Sequence, residues 1–181
     1  MRRTLYAILI AAAVPSGAFT VDAAKSAIQF TVIHKLHRVE GKSNEIEGKA
    51  VVKDDGTVQA MVRVSVASFR SGDANRDEHM LEALEAGKFP YVVFKGVAQL
   101  PPGRAVPIPS LEMQGEVQLH GVTRPMRVSL SLAPQRDRSI RGQGSFDISL
   151  DAHGIQRPSL MFVKIEDTCH ITFDLVFRAG R

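Results

Sequence analysis

The sequence predicts an all-β protein, an antiparallel β-barrel of about eight strands with one short helix covering an end. Three observations predict it. Residues 58–67 alternate cleanly: Val58, Ala60, Val62, Val64 and Val66 share one face, while Gln59, Met61, Arg63 and Ser65 take the other, which is the period of a strand with one buried side. Comparable runs recur along the chain, mostly joined by short turns, with no strand–helix–strand rhythm and no internal repeat. Glycines stand inside these runs, at Gly41, Gly48, Gly96, Gly115, Gly142 and Gly144. Glycine within a strand permits the sharp coiling that closes a barrel, and a sandwich needs fewer of them.

The elements follow in order. Arg2 and Arg3 precede a short apolar run from Leu5 to Val14, and Ser16-Gly17-Ala18 sets small residues at −3 and −1 of a cut after Ala18. This is the pattern of a signal peptide over residues 1–18, too short to span a bilayer comfortably. It predicts export with cleavage and a mature domain over residues 19–181. Phe19 to Asp22 starts a first strand, and Ala27 to His34 a second with Ile28, Phe30 and Val32 on one face. Ala50 to Lys53 leads into Asp54-Asp55-Gly56, a hairpin signal.

Residues 74–86 alone have helical character. Asn75 or Asp73 can cap the helix, Asp77 and Glu78 suit its positive end, and Met80, Leu81 and Leu84 make an apolar stripe. Gly87 can end it and Pro90 prevents its resumption. Strands resume over Tyr91–Leu100, Met113–His120, Met126–Leu132 and Ser139–Leu150, with a last hairpin from Phe162–Glu166 and His170–Phe177.

Composition narrows the function. A chain of 181 residues with one cysteine makes about one domain. Cys169 has no partner in its own chain and reads as a small buried hydrophobe rather than a nucleophile. The net charge of +4 includes the two leader arginines, and Lys and Arg are scattered rather than interleaved with aromatics, so no nucleic-acid site is expected. HExxH, CxxC and GxSxG are missing. His34 and His37, read as one strand, would point to opposite faces and could not chelate a metal together. Arg76, Asp77 and His79 resemble an acid–base cluster. The structural reading, an Arg76–Asp77 pair tying the helix to neighbouring loops, is preferred. No catalytic residue, metal or cofactor is expected.

Four segments carry a family resemblance: SAIQFTVIH from Ser26 to His34, VASFRSGDANRDEHM from Val66 to Met80, FPYVVF from Phe89 to Phe94, and LHGVTRP from Leu119 to Pro125. In this order they resemble the YceI-like family, the lipocalin-like polyisoprenoid-binding proteins of the bacterial periplasm, with Arg76, Asp77 and His79 on the RDxH positions. The resemblance implies a lipocalin-like barrel around a long apolar tunnel that holds a polyisoprenoid or other long-chain amphiphile, such as an isoprenoid quinone or fatty acyl species, for transport, storage or stress protection.

The candidate ligand-binding residues are Phe30, Val32, Val64, His79, Met80 and Phe94. Phe30 and Val32 share a strand face, Val64 lies on the cleanest alternating strand, Met80 is on the helix stripe, and Phe94 ends the apolar run after the helix. The bland alternative is that the apolar five fill a closed core. Two other functions stay open, an enzyme using His79 and Asp77 on a lipid-like substrate and a structural periplasmic module without lipid. Peripheral membrane contact and a homodimer are both compatible with the sequence.

Overall fold

A computed structural model describes residues 12–34, 37–157, 159–160 and 163–180. The chain runs up and down as a meander that closes on itself. Strands β1 (Gly17–Val21) and β2 (Ala27–His34) form one stave, interrupted by a 3-10 turn at Ala23–Lys25. Strands β3 (His37–Ser43) and β4 (Ile46–Val52) form the next, with β3 paired to β2 and β4 to β1. Then follow β5 (Thr57–Ser65), helix α1 (Ala74–Ala83), β6 (Tyr91–Gln99), β7 (Ile108–Leu119), β8 (Val122–Pro134), β9 (Ile140–Ser149) and β10 (Thr168–Ala179).

Each stave pairs antiparallel with the next. β10 pairs with β9 from Ile140↔Phe177 to Ser149↔Thr168, and with the first stave at Phe177↔Val21 and Cys169↔Val32. The ten strands of this sheet, two staves being split in two, therefore close as an eight-stave barrel, the predicted fold class.

The period-two pattern places the side chains as expected. On β5, Val58, Val62 and Val64 are buried while Met61 is 38% exposed. Glycine closes the ring where staves crowd. Gly115 is the partner of Gly96 between β7 and β6, and a Cβ on Gly115 would run into the backbone oxygen of Lys95.

Helix α1 starts where expected and ends early. Asp73 caps it, accepting from the Arg76 amide at 3.1 Å, while Asn75 falls inside the first turn. The helix stops at Ala83 and the chain turns through Glu85, whose φ is 44°. The amides of Lys88 and Phe89 both donate to the Glu85 carbonyl. The reversal thus falls on Glu85 and not on Gly87, because this local bonding fixes it one half-turn sooner.

The last predicted hairpin is also corrected. Val163–Lys164 pairs with Ser159–Leu160, and β10 takes β9 and the first stave as partners, so the short pair forms a loop on the barrel end. Phe162 and most of the expected leader lie outside the described residues. The barrel begins two residues before Phe19, since Gly17 and Ala18 already pair with Val52 and Val51.

Candidate ligand cavity

The inward faces of the staves do not meet. They enclose a cavity of about 870 Å³, within the size range of small-molecule sites. Valine, leucine and isoleucine side chains from every stave line it, with Phe19, Phe30, Phe94, Phe146, Phe173 and Phe177. Five of these rings, Phe30, Phe94, Phe146, Phe173 and Phe177, are only half-buried although they point inward. In a close-packed core such rings would touch neighbours on all sides; here part of each faces the lumen.

All six sequence candidates line this one cavity. Val32 and Val64 are buried at 8% and 5% exposure, Phe30, Met80 and Phe94 are half-buried, and His79 is exposed at the rim. Phe30 packs edge-on against Phe69, with ring centroids 5.5 Å apart. Phe69 follows the 3-10 turn Val66–Ser68 and was not singled out from the sequence. Nor were Phe146, Phe173 and Phe177, although Ile171, Phe173, Leu175 and Phe177 alternate along β10 and could have been read as inward.

Among the described residues, the polar groups that line the cavity gather at one end. This mouth lies between α1 and the β2–β3 hairpin, and carries His34, His37, Arg38, Ser71, Asp73, Asn75, Arg76, Asp77 and His79. Met80 and Ala83 of α1 and Leu84 just after it face the cavity there, while Leu81 lies on a shallow outer groove with Glu78 and Glu82. Charges at the mouth are paired or close to balance: Arg38 meets Glu40 at 2.9 Å, and Arg76 meets Asp73 at 3.6 Å.

One sequence reading needs correction here. His34 and His37 stand on different strands and are direct cross-strand partners, so they share a face rather than opposing one another. Among the described residues, no group of three metal-ligating side chains forms around them.

Arg76 bonds elsewhere, and Asp77 ties the helix to the preceding loop, in line with the structural reading. Its carboxylate accepts the Ser71 amide at 2.8 Å, and Ser71, side chain first and amide second, holds the Asp77 carboxyl below the usual carboxylate range, with Arg70 and Arg76 adding to the shift. Arg76 turns to Asp73 because that residue, at i−3, lies on its own side of the helix start. The Asp77 tie runs through backbone rather than guanidinium. Among the described residues no hydrogen bond joins it to His79.

Cys169 sits in the lumen wall at 8% exposure, where burial and the nearby Asp147 push its thiol up to about 12. It is protonated at neutral pH and a poor nucleophile.

The segments quoted above thus fall on one closed barrel around one apolar lumen, and the family pattern runs through it from the first stave to the last, over residues 19–177, as a YceI-like domain. The chain belongs to the YceI-like family. A UPF0312 protein of Vibrio parahaemolyticus is 29% identical over 141 residues, covering 71% of this chain and 72% of the relative. Among solved structures, BcnA of Burkholderia cenocepacia matches this YceI-like barrel with a TM-score of 0.74 at 20% identity, covering 86% of this chain and 98% of BcnA. A polyisoprenoid-binding domain from Saccharophagus degradans, implicated in plant cell wall breakdown, matches with a TM-score of 0.69 at 16% identity, covering 90% and 98%. At these identities the likeness is one of fold.

Proposed function

We propose that this YceI-like barrel carries a long-chain amphiphile, a polyisoprenoid or a related isoprenoid or acyl lipid, with its tail in the lumen and its head at the mouth beside α1. The observation that carries this reading is the lumen itself, about 870 Å³ of apolar space with phenylalanine rings left half-exposed toward it. Empty apolar volume forfeits dispersion contacts, and a slender hydrocarbon restores them. Each buried CH₂ contributes about 0.8 kcal/mol, so roughly ten give about 8 kcal/mol and micromolar affinity. Such a site needs no catalytic motif. The single polar end sets orientation, because a head group placed anywhere else would be desolvated without partners.

Export to the periplasm, and a transport, storage or protective role there, belong to the same proposal. A carrier rather than an enzyme is favoured because Asp77 bonds the Ser71 amide and, among the described residues, no carboxylate hydrogen-bonds His79. Native mass spectrometry of protein taken gently from its own cells tests the reading. A co-purifying isoprenoid or acyl species is expected. A barrel that is recovered empty, and that also fails to bind a fluorescent polyprenyl probe after delipidation, would overturn it.

A further inference from the structure

Three of the five half-buried lumen rings lie over a glycine. Phe30 on β2 is the direct partner of Gly41 on β3, and Phe173 on β10 is the partner of Gly144 on β9. Phe94 stands two residues before Gly96 on β6. Cross-strand partners share a face of the sheet, as do residues two apart on one strand, so all three glycines are turned toward the lumen. A ring fills the space where each would carry a side chain. A Cβ on Gly41 would come within 3.2 Å of Cδ1, Cε1 and Cζ of Phe30. On Gly144 it would lie 2.7 Å from Cζ of Phe173, and on Gly96 2.6 Å from Cζ of Phe94. Gly142 supplies the contrast. The nearest atoms to a Cβ there belong to Leu132, Leu130 and the Leu175 backbone, not to a ring, and Gly142 itself lines the lumen. Among the described residues, the three ring-covered glycines do not.

Carbon atoms in ordinary contact stay about 3.5–4.0 Å apart, so a methyl group at any of the three glycines would drive its ring off the wall by roughly 1 Å. Phe69 already flanks Phe30 edge-on at 5.5 Å between centroids, and Phe146 flanks Phe173 at 6.2 Å. The volume left open to a displaced ring is the lumen. We propose that Gly41, Gly96 and Gly144 set the bore of the lumen, and with it a preference for a methyl-branched tail over a straight one. Recessed rings leave width for the methyl group that each isoprene unit of a polyprenyl chain carries. Rings pushed inward would leave width for an unbranched acyl chain alone. Apolar walls discriminate between hydrocarbons by fit, and one methylene too many or too few in such a pocket changes binding by about 10- to 200-fold. A glycine inside a strand also lets a barrel coil. Coiling depends on the backbone, whereas the bore depends on the ring and the glycine together, so the two roles respond differently when the ring is shortened.

This inference rests on the lipid-carrier reading, and its test separates the two. Delipidated wild type and variants, each checked for a cooperative melting transition, are titrated with geranylgeranyl and hexadecyl ethers of one fluorophore, which match in main-chain length and differ in branching. Wild type should bind the geranylgeranyl probe at least as tightly as the hexadecyl probe. In Gly41→Ala the ratio of geranylgeranyl to hexadecyl affinity should fall at least about tenfold. Shortening the displaced ring in the double variant Gly41→Ala, Phe30→Leu should bring the ratio back to within about threefold of wild type. Gly96→Ala, whose added carbon meets the tip of Phe94 and the Cγ and Sδ of Met113, carries the same measurement at a second position if Gly41→Ala fails to fold. Gly144 is not substituted, because a Cβ there also meets the Ser129 backbone oxygen at 2.6 Å. An unchanged ratio in the alanine variants, or a lowered ratio that Phe30→Leu does not restore, overturns the bore. So does failure of both alanine variants to fold. Wild type that binds hexadecyl but rejects geranylgeranyl removes the branched-tail preference while the carrier reading stands. Binding of neither probe by wild type overturns the carrier reading and the bore together.

Discussion

The wall and the lid of this YceI-like barrel differ in how they are held. On the wall, Val62, Val64 and Val117 are 8%, 5% and 1% exposed, and β5, β6 and β7 lie in continuous antiparallel ladders. On the lid, α1 has no buried residue and meets the cavity through Met80, Ala83 and Leu84. It is anchored chiefly by its Asp73 cap and by the bond from Ser71 to Asp77. Segments with little buried apolar surface open at low free-energy cost, and densely laddered ones open only with the whole fold. The comparison teaches a division in which the wall sets stability and the lumen's shape, while the helix, or lid, borders the mouth on few contacts. Changes in the wall should therefore act first on folding, changes in the lumen on binding, and changes in the lid mildly on both.

The largest effect should come from the wall at its tightest point. Gly115→Val adds a side chain where a Cβ already meets the Lys95 backbone oxygen, an obstacle no rotamer change relieves. Overpacking costs about 1–3 kcal/mol when side chains can shift, and with backbone in the way the loss should reach at least about 3 kcal/mol. Denaturant unfolding of the delipidated protein measures it. A variant as stable as wild type would mean that the Gly96–Gly115 approach is looser than the barrel requires.

The next effect separates lumen from core. Phe94→Ser removes a half-buried ring from the cavity. Burying such a side chain against a ligand contributes about 1.5–3 kcal/mol, so polyprenyl-probe affinity should fall roughly 10- to 100-fold. Stability of the empty protein should fall by less than the 3–5 kcal/mol typical of truncating a packed phenylalanine. Loss of folding without a selective effect on binding would place Phe94 in a closed core.

How far this was legible in the sequence follows the same division. The wall was readable because one-sided burial writes itself as period two: Val58 to Val66 and the strand glycines pointed to a barrel, and all six candidate residues fell on one cavity. The lid was read less well. Its cap was narrowed to Asn75 or Asp73, but the choice of Asp73 and the turn at Glu85 depend on local hydrogen bonds that composition does not encode. The facing of His34 and His37 depends on the register between β2 and β3, and a one-residue slip of register moves a residue from one face to the other.

In the lid, Asp77→Ala removes the tie to Ser71 and should cost about 1 kcal/mol, a few degrees in Tm for a domain of this size. The pH dependence has a definite sign. The folded-state carboxyl lies below its ordinary value of 3.8, so its contribution is fully present above that value and is lost as pH falls through the lower folded value. The Tm difference between wild type and Asp77→Ala should hold from neutral pH to about pH 5 and shrink below about pH 4. A difference that grew on acidification would reverse the assignment.

The smallest effect should come from His79→Ala. His79 is exposed at the mouth, and residues two apart on a helix do not face each other, so Asp77 is poorly placed to orient its imidazole even apart from its bond to Ser71. Alanine is the better helix former by up to about 0.7 kcal/mol, which offsets whatever weak rim contact is lost. Stability should change by less than about 0.5 kcal/mol. Probe affinity should stay within about threefold, because the tail supplies most of the binding and the head group keeps other polar neighbours at the rim. The alternative of an enzyme acting through His79 and Asp77 predicts something different. Removing a general acid or base lowers turnover by about 10²–10⁴-fold while leaving binding intact. Incubating wild type and variant with polyprenyl and acyl esters, and following both hydrolysis and probe displacement, separates the two. Turnover by wild type that vanishes in His79→Ala, with binding unchanged, would move the chemistry into the lid and make the lumen a substrate site.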